Sequence, residues 1–320
     1  MIVVVDDEDR ENEGDLVFAA AFCDAEKVNF AITHARGLVC TPISKDIAKR
    51  LGFHSMVKSN TSNHETAFTI TVDAKDASTG ISALERDMTI KLIASSSSKA
   101  SDFVVPGHIF PLISKDGGVL ERIGHTEAST DLCKMAGLAP VAVICEIINE
   151  DGTMARRDDL DLFCEKFGLN MISIADLVKY RLENETLIEF SELKSGMLAG
   201  KDAKYYEIKD HNGRVHKAYI YGEFDHRANV KFHKISQDYD FLTTAKFNEC
   251  KRALEILYQS GGIFIFFDTY VNESAQMKDY GIGDQILAHL GVKEISLITE
   301  NRDQEFSGLS GFGLNIINFI

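Results

Sequence analysis

The first apolar run of the chain, Ile2-Val3-Val4-Val5, is β-branched and gives way abruptly to acids, as a buried strand does when it delivers a loop to a sheet edge. Residues 68–72, 141–148, 262–267 and 294–298 are further apolar runs of strand length, separated by helix-like segments. Residues 158–167 read as a helix stopped by Gly168, and Ser173-Ile174-Ala175-Asp176 has the spacing of an acidic capping box that opens a helix over 177–181. Thr243 or Thr244 is expected to cap a helix running to Ser260, with Gly261-Gly262 as its stop. Strands that alternate with helices predict an α/β protein. Between 182 and 195 the pattern weakens into Glu- and Lys-rich sequence, which places a domain boundary there and defines domains of 1–185 and 196–320. A length of 320 residues agrees with two cores rather than one.

Composition narrows the function classes. Hydrophobic residues make up 45% and charged residues 26%, with four prolines, so disordered and fibrous classes are excluded. A net charge of −15 repels polyphosphate backbones and anionic membranes, so no nucleic-acid or membrane partner is expected, and a phosphorylated ligand must be met by local positive groups. No run approaches the ~20 apolar residues of a membrane span, and no basic segment precedes an apolar one at the N-terminus. The expected location is the cytoplasm. Cysteines at 23, 40, 133, 145, 164 and 250 form no C-x-x-C pair and read as reduced, mostly buried thiols.

Several segments carry candidate chemistry. DDEDRENEGD, residues 6–15, places seven acids in ten positions directly after a strand. It reads either as a solvated acidic turn or as a set of hard oxygen ligands for Mg²⁺ or Mn²⁺, and its spacing fails the calcium-loop pattern. VPGHIFPL, residues 105–112, brackets His108 between prolines and predicts a stiff loop with an imidazole at its apex. GGVLERIGHTEAS, residues 117–129, sets Arg122, Gly124, His125 and Thr126 before a helix-like segment, where backbone N–H groups and a guanidinium form either a phosphate cradle or ordinary capping. Glu146 interrupts an apolar strand, where a charge is paired, functional or at a solvated strand end. Cys40 reads as a small core residue rather than a reactive thiol.

These segments, with NTSNHETAFTITVD from Asn60, TGISALERD from Thr79, CEIINEDGTMAR from Cys145 and SIADLVKYR from Ser173, resemble the 3,4-dihydroxy-2-butanone 4-phosphate synthase family, in family order and over residues 1 to about 181. The resemblance implies an N-terminal three-layer domain with a mixed β-sheet, followed by a second, smaller α/β domain. It implies conversion of ribulose 5-phosphate to 3,4-dihydroxy-2-butanone 4-phosphate and formate in riboflavin synthesis, with two Mg²⁺ or Mn²⁺ ions per site and a homodimeric enzyme. Glu11 and His125 would then be metal ligands. Arg10, Asp15, Arg122, Gly124 and Thr126 would hold the sugar phosphate, and His108 and Glu146 would handle protons. Glu13, Cys40 and Thr79 would line the pocket. Glu85 stands where many family members have aspartate, and Val104-Val105 where an arginine often precedes the proline.

From about residue 196 the chain resembles a degenerate GTP cyclohydrolase II domain, most clearly in KDYGIGDQILAHLGVKEISLITEN, residues 278–301, and again over 308–313. The zinc cysteines of an active domain are missing from residues 227–242, and TYVNESAQM, residues 269–277, replaces the expected phosphate-binding segment. No zinc and no GTP opening are therefore expected. Two other readings stand beside the synthase: a bifunctional enzyme with a divergent cyclohydrolase site, and a non-enzymatic acidic metal-binding scaffold.

Overall fold

The computed structural model describes residues 1–8, 10–62, 66–211, 213–268, 276–299 and 314–320, with backbone only over 276–281. Two compact units divide the chain, Met1–Val178 and Lys179–Ile320.

The first unit runs β1 (Ile2–Val5), β2 (Gly14–Ala19), α1 (Ala25–Phe30), β3 (Cys40–Ile43), α2 (Lys45–Leu51), β4 (Val72–Ala74), α3 (Ala83–Ala94), β5 (Phe103–Ile113), α4 (His125–Met135), β6 (Ala142–Glu146), α5 (Arg157–Phe167) and β7 (Asn170–Ser173), and α6 (Ile174–Asn184) spans the division. Its strands form one mixed sheet in the order β4-β5-β3-β6-β2-β1-β7. Pairs β1/β7 and β3/β5 are parallel and the rest antiparallel. Alternation along the strands sends Val3, Val5, Leu16, Phe18, Val143 and Cys145 into one core with Val28, Ile90 and Ile93 of the α1 and α3 layer. Each fully buried aliphatic side chain there contributes roughly 1.5–3 kcal/mol. The intervening residues face α4, which packs on β1, β2, β3 and β6. Asp24, Ser44 and Ser82 cap α1, α2 and α3 through their side chains, each worth about 1 kcal/mol.

The second unit continues with β8 (Ile188–Phe190), β9 (Lys194–Leu198), β10 (Lys201–Asp210), β11 (Val215–Tyr221), β12 (Arg227–Lys234), α7 (Asp238–Thr243), α8 (Lys246–Ser260), β13 (Gly262–Phe267), α9 (Gln276–His289), β14 (Glu294–Leu297) and β15 (Asn315–Phe319). Its eight-stranded mixed sheet has the order β15-β14-β12-β13-β11-β10-β8, with β9 paired to β10. Ala253 and Leu257 of α8 pack with Tyr221 and Phe264, while Gly283 of α9 lies against Phe232 and Phe267. Gln285 of α9 accepts the Leu187 N–H and donates to the carbonyls of Leu182 and Glu185.

Four sequence expectations change in three dimensions. Residues 68–71 lie outside a strand except for bridges at Phe68 and Thr69, and β4 begins only at Val72. His108 belongs to β5 rather than to a loop. His125 and Thr126 stand in the first turn of α4 instead of before it. Neither Thr243 nor Thr244 caps α8: their hydroxyls donate backward to the Tyr239 and Asp240 carbonyls, and Ala245 occupies the N-cap. Of the segments singled out in the second half, residues 269–275 of 269–277, residues 300–301 of 278–301 and all of 308–313 lie outside the described residues.

Candidate active site

The register of the first sheet collects the site along one edge. Cys40 pairs with Phe110 on β5 and with Ile144 on β6, so His108 and Glu146, each two residues from its Cys40 partner, flank the segment before β3. The Leu38 N–H donates to Glu146 Oε2 at 2.8 Å. Asp15 opposes Glu146 across the β2/β6 pair and Val4 across the β1/β2 pair. Glu146, Asp15 and Val4 thus form a row that ends beneath His125.

The acidic segment is an organised loop. Asp6 Oδ1 accepts the Glu13 N–H at 2.9 Å, and its Oδ2 accepts from Arg10 at 2.6 Å and from the Glu11 N–H at 3.2 Å. Arg10 also reaches Glu11 Oε2 at 2.8 Å. Asp6 therefore shapes the loop that Glu11 uses, a role hidden in the sequence among neighbouring acids. His125 Nε2 lies 3.2 Å from the Val4 carbonyl, and its Nδ1 lies 3.7 Å from Glu11 Oε2. Because a carbonyl only accepts, Nε2 carries the hydrogen and Nδ1 is left toward the carboxylate.

The ligand atoms of Asp6, Glu11 and His125 lie within 4.8 Å of one another, and among the described residues they are the one group of three that offers such a set. One nitrogen beside carboxylate oxygens suits a hard divalent cation that keeps part of its hydration shell.

Electrostatics couple these groups. Burial pushes Glu11 up, but His125 and Arg10 outweigh it and hold the carboxyl at about 2. Burial depresses His125, yet Asp15 first, then Glu11 and Asp6, raise it above its ordinary value. Asp15 is raised by burial and by Glu146, against the pull of His125. Glu13 is raised by burial and by Glu11. Cys40 is buried at the β3 start, and burial, then Glu146 and Asp15, push its thiol well up, which disfavours a thiolate.

On the far side of His125, Gly124 is the N-cap of α4 and has no side chain to occupy the first-turn amides. Arg122 leads into that turn and is held by Glu127 at 2.5 Å and by the Thr66 hydroxyl at 3.2 Å. Thr126 is buried in the same turn. Thr79 is exposed, and its hydroxyl donates to Glu85 at 3.1 Å.

His108 is held inside β5 by an irregularity. Ile109 pairs with Val72, and Val104 pairs with Asp73, so residues 105–108 bulge from the ladder. Side chains replace the lost backbone partners: Thr71 Oγ1 accepts the Gly107 N–H at 3.1 Å, and Asp73 Oδ1 accepts the His108 N–H at 2.8 Å. Gly107 lies so close to the backbone of Val72 and Asp73 that no Cβ fits. Asp73 was not visible as a site residue in the sequence; its signal was an acid closing an apolar run.

Carboxylates and an imidazole at one edge of a mixed sheet, beside a helix N-terminus with a guanidinium, have the chemistry that a metal-assisted enzyme acting on a small anionic substrate requires. Residues 1–180 match the family model of 3,4-dihydroxy-2-butanone 4-phosphate synthase, and residues 267–320 match that of GTP cyclohydrolase II. A 3,4-dihydroxy-2-butanone 4-phosphate synthase from Sulfurospirillum multivorans is 54% identical over 318 residues, covering 99% of this chain and 89% of the relative. The crystal structure of RibBX, a two-domain 3,4-dihydroxy-2-butanone 4-phosphate synthase from A. baumannii, superposes with a TM-score of 0.85 at 38% identity and covers 100% of this chain and 94% of its own. A 3,4-dihydroxy-2-butanone 4-phosphate synthase in complex with two magnesium ions is similar over 57% of this chain and 91% of its own, with a TM-score of 0.55 and 37% identity. The chain belongs to the 3,4-dihydroxy-2-butanone 4-phosphate synthase family, lyases of riboflavin biosynthesis that form 3,4-dihydroxy-2-butanone 4-phosphate and formate from D-ribulose 5-phosphate. Among the described residues no helix is long and apolar enough to cross a membrane.

Proposed function

We propose that the edge built by Glu11, Asp15, His108, His125 and Glu146 is where this lyase reaction occurs, with Glu11 and His125 holding Mg²⁺ or Mn²⁺, two ions per site. The observation that carries this reading is His125, pinned through Nε2 to Val4 so that Nδ1 faces Glu11. A ligating histidine whose other nitrogen is fixed by a backbone carbonyl is the usual outer support of a metal site. When bound, the cations stabilise the negative charge that develops when a proton is lost beside the sugar ketone.

The chain's own residues do the rest. The open first turn of α4 at Gly124 and Thr126, with Arg122, binds and orients the phosphate. Arg10 and Asp15 contact the sugar, and Glu13, Cys40 and Thr79 line the pocket. His108 and Glu146, on either side of the segment before β3, remove and return protons at the substrate carbons and hydroxyls. The exposed apolar side chains Leu84, Val104 and Val105 on α3 and β5 support a homodimer, and six buried free thiols support a reducing cytoplasm.

The C-terminal unit is proposed to lack GTP cyclohydrolase II activity and zinc. Residues 227–242 supply no cysteine, and the pair that the fold does bring together, His233 Nδ1 and Cys250 Sγ at 3.1 Å, provides two ligands where zinc sites use three or four from protein. Burial holds His233 down at about 4 and raises Cys250 to about 11, a neutral pair embedded beside Phe241, Phe264 and Phe266.

Formate release from ribulose 5-phosphate tests the reading. Activity is expected to vanish in excess chelator and to return with Mg²⁺ or Mn²⁺. Undiminished turnover in chelator would remove the metal assignment, and absence of formate under all conditions would favour a non-enzymatic scaffold.

A further inference from the structure

We propose that Asp73 is the positioning residue of His108: it fixes the imidazole as the tautomer with hydrogen on Nδ1 and leaves Nε2 as the nitrogen that exchanges protons with substrate. The inference rests on the reading of His108 as a proton-handling group.

One carboxylate grips one residue at two points. Asp73 Oδ1 accepts the backbone N–H of His108 at 2.8 Å, and Asp73 Oδ2 lies 2.7 Å from His108 Nδ1. A carboxylate offers only acceptors, so the hydrogen between Oδ2 and the ring belongs to Nδ1. The lone pair is then on Nε2. The first contact fixes where the backbone of the bulge sits, and the second fixes how the ring is turned about its side-chain bonds.

The surroundings keep the carboxylate in place. The Asp73 side chain is 8% exposed, whereas that of His108 is 43% exposed, so a buried anchor holds an accessible base. Gly80, in a left-handed conformation with φ +84°, packs against the Asp73 carboxylate so closely that any Cβ there would collide with it. The turn containing Gly80 is itself gathered by Glu85, which accepts from Ser78 N–H at 2.7 Å, Ser78 Oγ at 2.6 Å, Thr79 N–H at 3.2 Å, Gly80 N–H at 3.2 Å and Ser82 Oγ at 2.9 Å. Thr89 Oγ1 of α3 accepts the N–H of Ala74, the residue after Asp73, at 2.9 Å. Asp73 is therefore walled by a fixed turn on one side and tied to α3 on the other.

This arrangement has a defined chemical consequence. When His108 acts as a base, the proton leaves the substrate for Nε2, and the electron pair stays on the substrate. The resulting imidazolium keeps its Nδ1–H on Asp73, so its positive charge forms beside a carboxylate already in position. When the proton is returned, the ring resumes the same tautomer without rotating.

Asp73→Asn separates this role from that of a simple brace. Asparagine keeps the oxygen that accepts the His108 N–H, so the bulge is retained. Its amide then points an N–H at Nδ1, which forces the hydrogen onto Nε2 and blocks the base. The expected result is a kcat loss on the order of 10²-fold or more, with KM within about threefold and a thermal midpoint near that of wild type. Imidazole ¹⁵N spectra should assign the Nδ1–H tautomer to His108 in wild type and the Nε2–H tautomer in Asp73→Asn. In a His108→Ala background, Asp73→Asn should cause no further loss. A kcat within twofold of wild type, or an equal loss with and without His108, would overturn the proposal. If Asp73→Asn fails to fold, the wild-type spectrum decides: an Nε2–H tautomer for His108 would sink the idea and Nδ1–H would support it. His108→Ala alone separates the two layers, since normal turnover in that variant removes the role of His108 itself, whereas inactivity there with an active Asp73→Asn removes only the positioning role.

Discussion

The Arg156 guanidinium, at the N-cap of α5, donates to the backbone carbonyl of Glu11 across 2.9 Å, and the same nitrogen reaches the carbonyl of Asn12. Asn12 has φ 54°, a left-handed conformation that turns the acidic loop back toward β2. A cation from a distant loop thus holds the backbone that carries Glu11. Arg156→Ala is expected to weaken Mg²⁺ binding by roughly 10-fold, in line with other groups that orient metal ligands. Calorimetric titration checks this, and unchanged affinity would mean that the loop holds its shape without Arg156.

Glu11→Gln keeps side-chain volume and removes the charge. Burial opposes that charge, while His125 and Arg10 favour it strongly enough to hold Glu11 ionised down to about pH 2. The substitution should lower metal affinity at least 10-fold and reduce turnover in step at subsaturating Mg²⁺. Wild-type titration and turnover would remove Glu11 from the ligand set.

Glu146→Gln retains an oxygen to accept the Leu38 N–H, so the segment before β3 should keep its place. Turnover is expected to fall on the order of 10²-fold while substrate binding changes little, as for loss of a positioned acid or base. Single-turnover rates with a separate binding isotherm distinguish this outcome. A proportional loss of binding and rate would make Glu146 a substrate contact instead.

Asp284 supplies a pH dependence in the C-terminal unit. Both carboxyl oxygens are buried without a hydrogen-bond partner among the described residues, and burial raises the group to about 8. A folded value above the unfolded one favours the protonated fold, so its stabilising effect is complete below about pH 4 and is lost as pH rises to about 8. Asp284→Asn should therefore keep a constant offset from wild type at low pH and gain on it by several kcal/mol between about pH 4 and pH 9, because the amide never has to carry the buried charge that the carboxyl acquires. Thermal melts of the full chain across that range provide the measurement, and a constant offset at every pH would mean that ionisation is not involved.

Metal analysis and a GTP assay on the full chain address the second unit. Purified protein is expected to carry no stoichiometric zinc and to release no formate from GTP, because His233 and Cys250 supply only two ligands. Bound zinc with formate release from GTP would establish a cyclohydrolase site.

Local sequence determined much of this protein. The Ile2-Val3-Val4-Val5 run ending in acids is β1 and its loop, and Gly168 ends α5 in a left-handed conformation, because burial of short apolar runs and helix termination depend on adjacent residues. The segments around Glu11, His108, His125 and Glu146 are likewise legible as candidate chemistry, and all four lie within residues 1–180, which match the family model.

Only tertiary structure decided how those residues work. Asp73 and His108 are 35 positions apart, Val4 and His125 121, and Arg156 and Glu11 145, so no local pattern could pair them. His108 read as a loop residue because prolines flank it, yet Thr71 and Asp73 supply the acceptors that let the bulge remain within β5. His125 read as preceding a helix, and the open cap at Gly124 brought it into the first turn, against Val4. Helix and strand tendencies act over a few residues, whereas tautomer, ligand direction and carboxyl ionisation are set by whatever the fold brings within about 4 Å.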